Sequence, residues 1–282
     1  VSGVAPGGRL VVVGTPIGNL GDLSPRAVEA LAAADVVACE DTRRTGRLLA
    51  HAGVRAPSLR RVDDHTEAAS VAPLLDQVRR GAVVALVSDA GMPAVSDPGA
   101  RLIAAALDAG LAVEVVPGPV AAAVAVVASG LVGHDGRWCF EGFLPRSGPE
   151  RASRLAGLAG ERRPSVLYEA PHRLARTLGD LRSTVGDGRR VALCRELTKL
   201  HEEVWRGTLA DAVAHVAEVA PRGEYVVVLD GAPAPEPPSD DDLRAALDEA
   251  IAAGASRRDA AAAVAERFGV APNRVKRLST GP

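Results

Sequence analysis

Arg9-Leu10-Val11-Val12-Val13-Gly14-Thr15-Pro16-Ile17-Gly18-Asn19-Leu20 opens with a run of apolar residues that stops abruptly at glycine and proline. An unbroken apolar run of strand length, closed by turn residues, marks a strand covered on both faces, as in a parallel sheet between helices. Val36-Val37-Ala38-Cys39, Ala82–Val87 and Val113–Val116 repeat the pattern. Helix-like stretches lie between them; in Ser24–Ala34, Ser24-Pro25 supplies an N-cap and a first-turn proline. This alternation predicts crossover units and a largely parallel sheet. A second series (Ser165–Tyr168, Val191–Arg195, Tyr225–Leu229) carries helical patterns at Arg173–Leu181 and Ala210–Val219, and a charged segment, Arg146–Arg163, joins the two series. The expected organisation is α/β with two α/β domains, 1–135 and 136–231, followed by a linker and a small basic helical tail, 232–282. Four prolines in Gly231–Ser239 mark the linker. Asp240–Asp242 is then expected to cap a helix of about a dozen residues with acid at its positive end, and Ala255–Leu278 holds two shorter helical patterns around Gly269.

Composition narrows the function. The 282 residues are 47% hydrophobic and 24% charged, with a net charge of −2, which suits a globular chain with no general basic coat. Aromatics at 2% argue against extended base-stacking platforms. Cys39, Cys139 and Cys194 are few and far apart, read as reduced thiols in a cytosolic protein. Val1–Arg9 has no basic region followed by an apolar run, so no signal peptide is expected, and Val120–Val132 is too short to span a membrane. No His/Cys cluster has zinc spacing, so no metal is expected.

Polar loops follow the strands, where open parallel sheets place ligands. Gly14–Leu20 fits neither a dinucleotide fingerprint nor a Walker loop. In Ser88–Gly99, Asp89 has the chemistry to accept from a ribose hydroxyl or an ammonium, while Asp97 is read as the cap of a helix beginning near Pro98. Pro117–Ala123 is small enough for close backbone approach to a ligand or for tight helix packing. Tyr168-Glu169-Ala170-Pro171-His172-Arg173 and Arg195–Glu203 end strands of the second series, within a stretch rich in arginine that suits a polyanion. The tail holds six basic residues against two acidic ones in Ala255–Leu278, either a helix-turn-helix touching nucleic acid or an ordinary solvated tail.

Read together, GTPIGNLGDLSPRA at 14–27, ACEDTRRT at 38–45, SDAGMPAVSDPG at 88–99, PGPVAA at 117–122, YEAPHR at 168–173, RELTKLHEE at 195–203 and RGEYVVVL at 222–229 closely resemble the ribosomal small subunit methyltransferase I family, of the tetrapyrrole methylase superfamily. The resemblance implies a two-domain, class III S-adenosylmethionine-dependent methyltransferase fold with a small helical tail. It also implies 2′-O-methylation of a decoding-centre cytidine (cytidine 1402) of 16S rRNA within the 30S ribosomal subunit, and a cytoplasmic homodimer. S-adenosyl-L-methionine would be held by Thr15, Pro16, Ile17, Gly18, Asp89, Ala90, Gly91, Val95, Pro119, Val120, Ala121, Tyr168, Glu169 and Glu224. Arg43, Arg44, Arg146, Arg173, Arg195 and His201 would face RNA. Val120, Met92 and Ala170 stand where such proteins usually carry Ser, Thr and Ser, so backbone amides are expected to replace those hydroxyls.

The catalytic candidates are Lys199, His172, Glu169, Arg195 and Glu196. A positioned base contributes about 10²–10⁴-fold to such a transfer. Lys199 is favoured, on condition that Arg195 or burial depresses its pKa. His172 is second, with an ordinary pKa near neutrality. The plain alternative pairs Lys199 with Glu196 or Glu203 in a salt bridge without chemistry. Two rival functions remain: a methylase of the same fold acting on a small tetrapyrrole or other substrate, and a non-catalytic RNA-binding module.

Overall fold

The computed structural model describes residues 7–55, 58–133, 135–234 and 237–279. The start of the chain, part of the proline-rich linker and the last residues of the tail therefore lie outside the described residues. Contacts group the chain into two compact units, Val1–Ala232 and Pro233–Pro282.

The first unit opens with β1 (Arg9–Val13), α1 (Pro25–Ala32), β2 (Val36–Cys39), α2 (Thr42–His51), β3 (Leu59–Arg61), α3 (Glu67–Arg79), β4 (Val83–Leu86), α4 (Ala100–Asp108), β5 (Ala112–Val116) and α5 (Ala121–Ser129). Its five strands pair in the order β3-β2-β4-β1-β5, all parallel. Period-two geometry sends alternate residues to opposite faces. Leu10, Val12, Ala38, Val84 and Leu86 pack with Leu74, Leu75 and Val78 of α3 and Leu102 of α4. Val11, Val13, Val37, Cys39 and Ala85 pack with Ala27 and Leu31 of α1 and Leu49 of α2. Both faces of the inner strands β1, β2 and β4 are covered, which is why they read as unbroken apolar runs. As expected, Ser24 Oγ accepts from the Ala27 amide and Pro25 sits in the first turn.

The unit continues with β6 (Cys139–Phe143), α6 (Gly148–Gly160), β7 (Ser165–Glu169), α7 (Pro171–Val185), β8 (Arg190–Arg195), β9 (Glu203–Thr208), α8 (Leu209–Glu218) and β10 (Tyr225–Leu229). The second sheet runs β6-β7-β10-β8-β9; β6 and β7 are parallel, and the remaining pairs are antiparallel. One face carries Leu167, Leu193, Val227 and Leu229 under α6, α7 and α8. The other carries Val166, Ala192, Cys194, Val226 and Val228 under Ala122, Ala125 and Val126 of α5. The Ala/Val run thus buries one side against the second sheet and leaves Val127 exposed. Among the described residues, no helix is long and apolar enough to cross a membrane.

The charged stretch expected to join two series is not a linker. It contains α6, which turns Leu155, Leu158 and the aliphatic part of Arg151 inward, and the second sheet has already begun at β6. In the second unit, α9 (Asp240–Ala252), α10 (Arg257–Phe268) and α11 (Pro272–Ser279) share a core that includes Leu243, Leu247, Ala261, Val264 and Val275. Ser239, not the aspartates after it, is the N-cap of α9, in a capping box with Asp242. Gly269 ends α10 in the left-handed conformation.

Candidate active site

Because β1 lies between β4 and β5, the loops that follow these three strands meet at one sheet edge. The contact is backbone on backbone. A Cβ on Gly14 would lie 2.5 Å from the Gly118 nitrogen, and one on Gly118 would lie 2.7 Å from the Gly14 Cα, so side chains at either position would part the loops. The loop between β8 and β9 closes on this edge. The Asn19 amide donates to Thr198 Oγ1 at 3.0 Å, and a Cβ on Gly18 would sit 2.5 Å from Lys199 Cγ. Ala94, Ser96, Glu196 and Thr198 adopt positive φ without being glycine, two in the loop after β4 and two in the loop between β8 and β9. Strain of roughly 1–3 kcal/mol per residue persists only where surrounding contacts enforce it.

Two cavities adjoin at this edge, sharing Ile17, Ala90 and Glu224. The first, about 350 Å³, is walled by apolar groups including Val95, Val120, Ala121, Phe143, Tyr168 and Val226, with Asp97, Glu169 and Glu224 as its carboxylates. The second, about 400 Å³, is more polar than the first and presents Thr15, Pro16, Gly18, Arg44, Arg47, Asp89 and Lys199. Tyr168 anchors the apolar wall: its hydroxyl accepts from the Ala122 amide at 3.2 Å, and Phe140 and Phe143 meet its ring edge-on.

Lys199 stands at the seam. Its Nζ donates to Glu196 Oε1 at 2.9 Å and to Glu224 Oε2 at 2.6 Å. Partial burial alone would lower its pKa, but these two carboxylates outweigh burial and raise it above the ordinary value. The expected depression is therefore absent: Arg195 turns to Glu203 (3.4 Å) and the Arg222 carbonyl (2.8 Å) instead. Glu196 is pushed up by burial, but the Glu224 amide and Lys199 hold it below its usual range. It lines neither cavity and braces Lys199 and the Glu224 backbone.

Other expected residues divide. Glu169 is buried and committed to the Thr177 hydroxyl (2.6 Å), the Ala170 amide (3.0 Å) and Arg173 (3.2 Å). Thr15 is buried with its hydroxyl turned to the Ser88 and Gly91 carbonyls. Asp89 takes the Asp41 amide (3.0 Å) and Arg44 (3.4 Å), so its carboxylate braces the start of α2. Pro119 faces neither cavity and packs near Gly91. Arg43 is exposed and paired with Asp41, and His201 is exposed on the β8–β9 loop. His172 lies away from Lys199, in a third cavity with Arg146, Arg151, Arg173, Arg176 and Thr177.

Asp97 corrects a sequence expectation. It does not cap α4; Glu67 does, accepting from the Gly99 and Arg101 amides at 2.9 Å each. Asp97 instead enters the apolar cavity, where burial, then Glu40, Asp89 and Asp64, push its carboxyl up to about 7 despite a Ser88 hydrogen bond. Arg47 was also missed, although its position one turn beyond Arg43 and Arg44 on α2 puts it on a neighbouring part of the helix surface. Tyr225 and Val226 were legible only as strand residues. Among the described residues, no group of three or more His, Cys, Asp and Glu side chains is arranged to hold a metal ion.

Comparison with known proteins agrees with this architecture. Residues 9–213 match the Tetrapyrrole (Corrin/Porphyrin) Methylases. The ribosomal RNA small subunit methyltransferase I of Synechocystis sp. is 43% identical over 96% of this chain and 97% of its own length. The protein of that name from Mycobacterium bovis is 48% identical over 92% of this chain and 89% of its own. Uroporphyrin-III-C-methyltransferase from Thermus thermophilus superposes with a TM-score of 0.57 at 27% identity, over 78% of this chain and 94% of its own. On the family match, the two-sheet fold and these identities, the chain belongs to the ribosomal RNA small subunit methyltransferase I family of the tetrapyrrole methylases.

Proposed function

We propose that this protein transfers a methyl group from S-adenosylmethionine to the ribose 2′-hydroxyl of a decoding-centre cytidine in 16S rRNA of the 30S subunit, as a cytoplasmic homodimer. The observation that carries the reading is the pair of adjoining cavities, one apolar and one holding Arg44, Arg47 and Lys199 beside Asp89 and Glu224, with the Lys199–Glu224 pair where they meet. The apolar cavity fits the donor: its walls suit an adenine and a thioether, and Asp97 and Glu224 are carboxylates suited to a sulfonium and an ammonium. When bound there, S-adenosylmethionine supplies an electrophilic methyl group that needs no metal.

The chain's own contribution is alignment, charge and proton handling. The polar cavity seats the target nucleotide, with Arg44 and Arg47 toward its phosphates. Holding the 2′-oxygen in line with the donor supplies a large share of the acceleration. Lys199 Nζ, kept charged by its two carboxylates, donates to that oxygen and steadies the negative charge that grows on it. Glu224, whose side chain is 74% exposed and which borders both cavities, accepts the 2′-hydroxyl proton. In this reading Lys199 is not the base. Glu196 is a positioning residue.

Tritiated S-adenosylmethionine, incubated with 30S subunits, free 16S rRNA and a tetrapyrrole precursor, tests the proposal. Label in a nuclease-resistant dinucleotide is the expected result, and label in the tetrapyrrole alone would refute it. The tetrapyrrole reading has the weaker support, because the Thermus tetrapyrrole enzyme is 27% identical and the rRNA enzymes are 43% and 48% identical.

A further inference from the structure

We infer that the third cavity, at the start of α7, is a socket for one backbone phosphodiester of the RNA strand, apart from the place where the methyl group moves. The inference rests on the RNA reading above. The cavity is about 350 Å³ and is lined by Arg146, Arg151, His172, Arg173, Arg176 and Thr177, with no carboxylate in its wall.

The four arginines have different duties. Arg151, 4% exposed, forms a fixed floor, held by Asp180 (2.7 Å), the Pro145 carbonyl (2.9 Å) and the Thr177 hydroxyl (3.1 Å). Arg173 is tied to Glu169 (3.2 Å) and to the Leu144 carbonyl (2.6 Å). Arg176 is 64% exposed and only 3.9 Å from Asp180, which Arg151 already occupies. Arg146 is exposed and, among the described residues, makes no hydrogen bond or ion pair. Two carboxylates, Glu169 and Asp180, thus face four guanidinium groups. The excess positive charge lies on the two arginines at the open side, where an anion enters. Guanidinium forks suit phosphate oxygens, and a prepared floor lowers the ordering cost of binding.

Two helices strengthen the same spot. α6 begins just after Arg146 and α7 just before His172, and neither N-cap, Ser147 or Ala170, makes a side-chain capping bond. Both dipoles favour an anion, although Glu150 in the first turn offsets that of α6; Pro149 and Pro171 bring no amide, and the Arg173 amide is taken by the Ala170 carbonyl. Ala170 has no oxygen with which to cap.

Position explains the use. Ala170 and Pro171 line the apolar cavity, while His172 and Arg173, next along the chain, line the socket. Glu169 links the two, since it lines the apolar cavity and accepts from Thr177. A phosphate held in the socket therefore sets the register of the strand against the methyl-transfer site. His172 then serves the phosphate and does not act as a base.

The test uses the full chain with Arg146→Ala/Arg176→Ala, both exposed enough to leave the core intact, and a short single-stranded oligoribonucleotide as probe. Thermal melting verifies folding. Oligonucleotide affinity at low salt should fall ~10–100-fold, and the slope of log affinity against log salt should become shallower by about 1 to 2. Arg146→Lys/Arg176→Lys should restore much of the affinity. Methylphosphonate substitution, scanned one linkage at a time, should weaken wild-type binding at one linkage and leave the alanine variant indifferent there. Inorganic phosphate should compete only weakly. Unchanged affinity and salt slope in the alanine variant would overturn the socket, as would tight inorganic phosphate binding that does not displace RNA. Methyl transfer is read separately. If RNA binding depends on these arginines while no RNA is methylated, the socket stands and the proposed reaction fails; methylation with arginine-independent binding is the reverse.

Discussion

Asp97→Asn should stabilise this protein, and by an amount that grows with pH. The carboxyl stands in the apolar cavity with its pKa raised from an ordinary 3.8 to about 7, first by burial and then by Glu40, Asp89 and Asp64. The folded state therefore holds a proton between roughly pH 4 and 7 that the unfolded chain has released. The stabilising contribution of this group is complete below about 3.8 and is lost as pH rises through about 7. At 1.36 kcal/mol per unit the full difference is ~4 kcal/mol, and solvent screening at the open side of the cavity reduces it to about 1–3 kcal/mol. Asparagine keeps the shape and the hydrogen bonding of the neutral acid, so it removes the penalty. Melting of wild type and variant at pH 5 and pH 8 should show a gain of about 2–8 °C at pH 8 and roughly a third of that at pH 5. An equal gain at both values, or a loss at pH 8, would show that the carboxylate is not penalised in the folded state. The same substitution should weaken S-adenosylhomocysteine binding at pH 8 by ~10-fold or more, because a carboxylate facing the donor's ammonium is lost.

Lys199→Met should lower the single-turnover methyl-transfer rate by about 10²–10⁴-fold while S-adenosylhomocysteine binding persists; an unchanged rate would leave alignment alone as the source of catalysis. Gly18→Ala forces a methyl group against Lys199 Cγ (2.5 Å) and the Leu197 carbonyl (2.9 Å), so kcat should fall with Lys199 displaced, and full activity would show that the β8–β9 loop yields freely. Asp89→Arg, in the nucleotide's cavity, should disturb the start of α2 and weaken RNA binding while calorimetric donor binding persists, and abolished donor binding would put the donor in that cavity instead. Truncation after Gly231 should spare donor binding and weaken RNA binding with a shallower salt dependence; equal loss of both would make the tail structural.

What could be read from the sequence follows from burial. β1, β2 and β10 match their apolar runs because both of their faces are covered. The three strands with no such signal, β3 (Leu59–Arg61), β6 (Cys139–Phe143) and β9 (Glu203–Thr208), are all sheet edges, and of their residues only Gly142 is fully buried. An edge strand needs one neighbour and one covered face, so an apolar run is not required of it, although β5, also an edge, still has one in Val113–Val116. The loops of the site were legible because glycine and proline punctuate them. The charge state of Lys199 was not, because Glu224 reaches it from 25 residues away. Asp97 was misread for the same reason: a helix start is expected to use a near neighbour, and Glu67 arrived from another helix to fill that place.

The position of β10 has a consequence for biogenesis. This last strand of the first unit lies between β7 and β8 and is the only link joining them in the sheet. During synthesis the first sheet can close as soon as β5 has emerged, whereas β7 and β8 must wait for Tyr225–Leu229. At ordinary translation rates that interval is on the order of 3–12 s after β7 appears. Through it, β6 holds Val166 and β9 holds Ala192 and Cys194, with α5 to cover them, but nothing sets these two strand pairs in register with each other. The nascent chain is most exposed to chaperones and to mispairing in this window, and a stall before residue 225 would leave a finished half-site that can never bind.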